Sequence, residues 1–102
     1  LMPKAIRPAT LIEQTLLLLE PLAAQRQIKL TRRSDENLPV IFADEDLLAR
    51  ALTNLLANAV KYSPANTEVV VTAKNDGRWL FISVADQGCG ISQEFLPRIF
   101  EK

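Results

Sequence analysis

The chain has 102 residues, 48% of them apolar, enough for one domain around a single modest core. Twelve basic and twelve acidic residues cancel, so no overall field draws the chain to nucleic acid or an acidic membrane. There is no histidine and one cysteine, Cys89, which excludes His-based metal sites, Ser-His-Asp triads, a phosphohistidine on this chain and an internal disulfide.

Thr10 with Glu13 three residues on reads as a capping box, predicting a helix over about Leu11 to Gln25. Leu11, Thr15, Leu18, Leu19 and Leu22 make its apolar stripe, and Leu16 to Leu19, the longest apolar run, is far too short to cross a bilayer. Ile28 to Arg32 alternates as a half-buried strand, Asp35 to Pro39 is a polar turn, and Val40 to Phe42 is a short second strand. Asp44 is the expected N-cap of the longest helix, about Glu45 to Tyr62, stopped by Ser63-Pro64. Two strands follow, near Glu68–Lys74 and Trp79–Ala85, joined through the hairpin signal Asn75-Asp76-Gly77. Ser92 is expected to cap a short final helix, Gln93 to Ile99. The order α-β-β-α-β-β-α predicts an α+β two-layer sandwich, with helices on one face of a mixed sheet.

In the long helix Leu48, Leu52, Leu55, Leu56 and Ala59 should look inward. Arg50, Asn54, Asn58 and Lys61 or Tyr62 recur at helical spacing and share another face. Asparagine is a mediocre helix former because its side chain competes for backbone hydrogen bonds, so two of them one turn apart need a reason. One reason is simply a polar face in water. The sharper one is that an amide oxygen is a hard, neutral ligand for Mg²⁺, which keeps most of its waters and leans on phosphates. Lys61 would then meet those phosphates as a point charge.

Asp86 ends the apolar run Phe81-Ile82-Ser83-Val84-Ala85, where an unpaired carboxylate would be costly to bury. Gly88 and Gly90 let the backbone turn sharply and admit a flat ring. A carboxylate so placed can accept the exocyclic amine of adenine; the alternative is a plain turn with Asp86 bonded to loop amides. The spacing fits neither a dinucleotide fingerprint nor a Walker loop.

Taken together, these motifs resemble the ATP-binding (catalytic) domain of sensor histidine kinases, within the wider gyrase, chaperone and mismatch-repair ATPase superfamily. Asn54 to Pro64 looks like its N box, Asp86 to Ile91 like its G1 box, and Phe95 to Lys102 like the start of its F box. The resemblance implies a Bergerat-type ATP-binding fold, with ATP and Mg²⁺ as ligands. Residue by residue it implies Asn58 as the magnesium ligand, Lys61 as a phosphate contact, Tyr62 lining the nucleotide and Asp86 accepting from adenine N6. Gly88 and Gly90, with Ile91 beside them, would shape the adenine floor, and Phe100 would sit at the hinge of a lid. Asn54 stands where hydrolytic relatives usually carry a glutamate that activates water; an amide cannot be a general base. That favours phosphoryl transfer to a protein side chain, achieved mainly by positioning and charge neutralisation.

By the same resemblance, the intact protein passes the γ-phosphate of ATP to a histidine on a separate dimerisation domain, for relay to a response regulator. A cytoplasmic domain is expected, in a parent whose anchoring in the bacterial inner membrane the sequence leaves open. The chain reads as a piece of such a domain, stopping at the F box without the lid, the second glycine box or the last strands, and is expected to be inactive alone. The Trp79–Ala85 strand should then show a bare edge, inviting a homodimer through it, and the phosphate end of the site should be open. Alternative readings are a related ATPase or serine kinase and a non-catalytic interaction module.

Overall fold

The computed structural model describes residues 3–34, 38–75, 80–86 and 91–96, the last stretch for its backbone only. Eight elements run in the order β1 (Pro3–Ile6), α1 (Pro8–Gln25), β2 (Ile28–Ser34), β3 (Ile41–Asp44), α2 (Glu45–Tyr62), β4 (Thr67–Asn75), β5 (Leu80–Ala85) and β6 (Ile91–Leu96). Four strands make one sheet in the order β2-β4-β5-β6, while β1 and β3 pair separately as an antiparallel ribbon. β2 and β4 are parallel and the other pairs of the larger sheet antiparallel, so the sheet is mixed as expected. Both helices lie against it, α1 touching β2 and α2 touching β5. The α+β two-layer sandwich is therefore the fold.

The core follows from period-two alternation in the strands. Val69, Val71 and Ala73 of β4 and Leu80, Ile82 and Val84 of β5 are buried, while the residues between them are half-buried or exposed. Leu52, Leu56, Ala59 and Val60 of α2 are buried against this sheet, and Leu48 and Leu55 are partly so. The long helix keeps its predicted bounds, because both of its ends are specified locally. Asp44 Oδ1 accepts from the Leu47 backbone N–H at 3.2 Å, and Glu45 and Asp46 place negative charge in the first turn, where the dipole favours it. At the other end Ser63, extended and followed by proline, donates its hydroxyl to the Ala59 carbonyl at 2.6 Å.

Three expectations are corrected and one strand is added, four corrections in all. The first helix begins at Pro8 with Arg7 as its N-cap and no side-chain cap, so Thr10 and Glu13 do not form a capping box. Proline at N1 supplies a preset φ and lacks only an N–H that the helix would not use. Glu13 instead pairs with Arg32 of β2 at 3.1 Å. Leu18, expected on the inner stripe, is 65% exposed, and Ile12 and Ala23 take the inside, since the buried rows run through Pro8, Ile12 and Thr15, Leu19, Ala23 at four-residue steps. β1 carries no strand signal of its own and exists through pairing with β3, from Pro3↔Asp44 to Ile6↔Ile41.

The fourth correction concerns the end of the sequence. Ser92 starts no helix: Ile91–Leu96 is strand β6, paired antiparallel with β5 from Ala85↔Ile91 to Leu80↔Leu96. Six residue pairs satisfy a row of backbone donors and acceptors that a short helix would leave open on β5, and this outweighs a local cap signal. The bare β5 edge is consequently absent, and the homodimer argued from it loses its basis. The tip of the β4–β5 hairpin at Asp76-Gly77 and Trp79 lies outside the described residues, as do Asp35 and residues 97–102.

Replacing Asp44 by alanine should cost about 1 kcal/mol through the lost cap. Leu56→Ala, at a fully buried position, should cost about 2–5 kcal/mol. Urea unfolding of both variants checks that order; an equal or reversed cost would overturn the packing described for α2.

Candidate nucleotide-binding site

Packing one face of α2 onto the sheet leaves the opposite stripe in water. Arg50, Asn54, Asn58 and Lys61 are all exposed, and Tyr62 is 60% exposed at the last helical position. The two asparagines are therefore not recruited into the core. Lys61 Nζ stands 5.6 Å from the centre of the Tyr62 ring, within cation–π range, so the basic and aromatic ends of the stripe are neighbours.

Topology sets where this stripe lies relative to Asp86. After α2 the chain needs only residues 63–66 to enter β4 at Thr67. Val70, near the start of β4, pairs with Ala85, the last residue of β5, so Asp86 follows at the end of the sheet where α2 terminates. α2 also touches β5. The helix end that carries Asn58, Lys61 and Tyr62 and the strand end that carries Asp86 are thus brought to one end of the layer. Asp86 itself is half-buried.

The remaining predicted residues divide cleanly. Ile91 opens β6 opposite Ala85, and its backbone alone is described. Gly88, Gly90 and Phe100, with Cys89 between the glycines, lie outside the described residues. Two open hollows lie elsewhere: one of about 510 Å³ lined by Gln27 to Lys29 and Asn66 to Glu68, another of about 540 Å³ between Pro3, Lys4 and the start of α2. Neither is lined by Asn58 or Asp86. In the second, Lys4 Nζ meets Glu45 Oε1 at 3.0 Å; that hydrogen bond and charge raise the lysine's pKa, so the contact holds at neutral pH and is lost as pH climbs through the lysine range.

Two side chains complete the end of α2, Ser63, already read as part of its stop, and Arg26, which sequence reading missed. The last turn of a helix has carbonyls without intrahelical partners. Ser63 satisfies that of Ala59, and Arg26, from the end of α1, donates Nη2–H to that of Lys61 at 2.8 Å. Serine one residue beyond the last helical turn is a local signal. The Arg26 contact joins residues far apart in sequence and has none. Among the described residues no group of three or more His, Cys, Asp or Glu could hold a metal, and no helix is long and apolar enough to cross a membrane.

Helices packed on a mixed sheet, with a polar helix stripe and a strand-end carboxylate at one end, define the α+β arrangement of the chain. The family described as histidine kinase-, DNA gyrase B- and HSP90-like ATPases matches residues 43–102, and the chain belongs to it, on the sensor histidine kinase side. The sensor histidine kinase ZraS of Escherichia coli (strain K12) is 37% identical over 95% of this chain and 21% of its own length. The adaptive-response sensory kinase SasA of Gloeothece citriformis is 30% identical over 96% of this chain and 28% of its own. The chain therefore spans less than a third of these relatives. Among solved structures, the nucleotide-free catalytic domain of histidine kinase ThkA superposes with a TM-score of 0.81 at 20% identity, over 86% of this chain and 60% of that one. Full-length ShkA in complex with AMPPNP gives 0.80 at 35% identity, over 86% and 19%.

Because both asparagines are exposed, Asn54→Ala and Asn58→Ala should leave thermal unfolding unchanged or raise stability by up to about 0.5 kcal/mol, alanine being the better helix former. A loss above 1 kcal/mol in either would mark a structural role for the amides instead.

Proposed function

We propose that residues 1–102 are part of the ATP-binding domain of a sensor histidine kinase, binding the nucleotide between the end of α2 and the end of β5. The observation that carries the proposal is the common position of Asn58, Lys61 and Asp86 at one end of the helix–sheet layer. In this reading Asp86 accepts the exocyclic amine of adenine, a contact a strand-end carboxylate makes without being fully buried. Gly88 and Gly90 bring the backbone close to the ring, with Ile91 beside it. Tyr62 flanks the nucleotide, and Phe100 lies at the hinge of the lid.

The donor set suits Mg²⁺. Asn58 offers an exposed neutral amide oxygen, Lys61 lies one turn further along the helix, and an ion that retains its waters needs few protein ligands. Mg²⁺, when bound, supplies charge neutralisation on the phosphates. Lys61 adds a second positive charge there, held on an exposed stripe rather than buried in an ion pair. Asn54 can orient but cannot take a proton from water, so the residues favour transfer to a protein side chain over hydrolysis.

In the intact protein that acceptor is a histidine on a dimerisation domain, and the phosphoryl group goes on to a response regulator. The similar kinase ThkA has been solved in complex with the response regulator TrrA, at a TM-score of 0.78, which supports the relay. The domain works in the cytoplasm.

Titrating the isotope-labelled chain with ATP and Mg²⁺ tests this reading. Asp86→Asn should weaken ATP binding by about tenfold or more, the scale of a hydrogen bond to a charged group, while Asn58→Ala should abolish the enhancement by Mg²⁺. Unchanged binding in both variants would sink the pocket assignment and favour a non-catalytic interaction module.

A further inference from the structure

The two helix-to-strand turns of the sandwich are fastened to one another. α1 ends at Gln25 and enters β2 through Arg26 and Gln27; α2 ends at Tyr62 and enters β4 through residues 63–66. Gln27 has φ 61° and Asn66 φ 66°, the only non-glycine residues with positive φ among the described residues. Such a conformation costs roughly 1 kcal/mol or more unless its surroundings enforce it. Here the Asn66 N–H donates to the Gln27 carbonyl at 2.7 Å, immediately before the parallel ladder opens with Ile28↔Thr67. Beside this backbone bond, the Arg26 guanidinium donates to the Lys61 carbonyl at 2.8 Å. It brings positive charge to a helix C-terminus, where the macrodipole favours it.

These contacts hold the last turn of α2 on the Lys61 side. The Lys61 side chain is exposed, and the contact shown for its Nζ is with the ring of the adjacent Tyr62, carried by the same turn of α2. The backbone at Lys61 therefore aims the ammonium, and Arg26 grips that backbone from another element. We propose that Arg26 is a positioning residue for the phosphate end of the nucleotide site, acting through the Lys61 carbonyl while touching no ligand itself. This rests on the nucleotide-binding reading of α2 given above.

The role predicts a loss that depends on phosphate and on Lys61. Arg26→Ala should weaken ATP binding by about three- to tenfold, the range of one exposed hydrogen bond, and leave adenosine binding within twofold. Arg26→Lys, which retains a cationic donor, should recover most of the ATP affinity. In a Lys61→Ala background, Arg26→Ala should have no further effect. The measurement is a titration of this chain with ATP and with adenosine, followed by amide chemical shifts, which also report whether each variant is folded. If Arg26→Ala does not fold, Arg26→Met, which keeps the bulk of the side chain without a donor, is read by the same criteria. Undiminished ATP affinity in Arg26→Ala, equal losses for ATP and adenosine, or a loss that persists without Lys61 would each overturn the assignment. Failure of the unmodified chain to bind ATP, or full affinity in Lys61→Ala, would instead overturn the nucleotide-binding reading on which it rests, and the assignment with it.

Discussion

Everything in this molecule depends on the seating of α2 against the inner face of β4 and β5. Leu52, Leu56, Ala59 and Val60 leave water at a four-residue rhythm, and each meets a sheet face paved with valine, isoleucine and leucine. At about 25 cal/mol per Å² of apolar surface removed from water, a handful of such side chains outweighs anything the polar stripe can contribute. Rotation of α2 about its axis is therefore set by the apolar side. Arg50, Asn54, Asn58 and Lys61 face solvent because the core leaves them no other direction.

The same seating sets what the polar stripe of α2 can offer to the site proposed above. Neither asparagine is held by a hydrogen-bonded cage, and nothing in their burial would distinguish them from any wetted helix face. Their meaning comes from the strand that ends beside them. Short connections do this work: four residues join α2 to β4, and the β4–β5 register then returns the chain to the same end of the sheet at Asp86. A carboxylate and an amide that are distant in sequence come to the same end of the layer through topology rather than through a direct bond.

What could be read from the sequence follows the range of each signal. α2 was legible to the residue, because Asp44, the acidic first turn and Ser63-Pro64 are local instructions. β4 and β5 were legible from alternation. β1 was not, since Lys4 and Ala5 have little strand preference and only the distant Ile41–Asp44 segment makes them one. The start of α1 was misplaced because Thr10 and Glu13 imitate a cap, while Pro8 two residues earlier fixes the true beginning. Ser92 misled in the same way, and the need of β5 for a partner decided the outcome. Of the candidate site, Asn54, Asn58, Lys61 and Tyr62 were singled out by helical spacing and Asp86 by its place after an apolar run. Arg26 was invisible, because its target is a carbonyl on another helix.

The parallel pairing of β2 with β4 carries a consequence for how the molecule is made. Hairpins such as β4–β5 can close early, since their ends meet across a short tip. β2 must wait until β3, the whole of α2 and the first half of the hairpin exist before its ladder has a partner. A chain leaving the ribosome thus carries β2 with both of its hydrogen-bonding edges open for the time needed to synthesise everything up to Ala73. The charged pair Arg32-Arg33 near its end is the sort of feature that keeps such a waiting strand from joining a stranger's sheet.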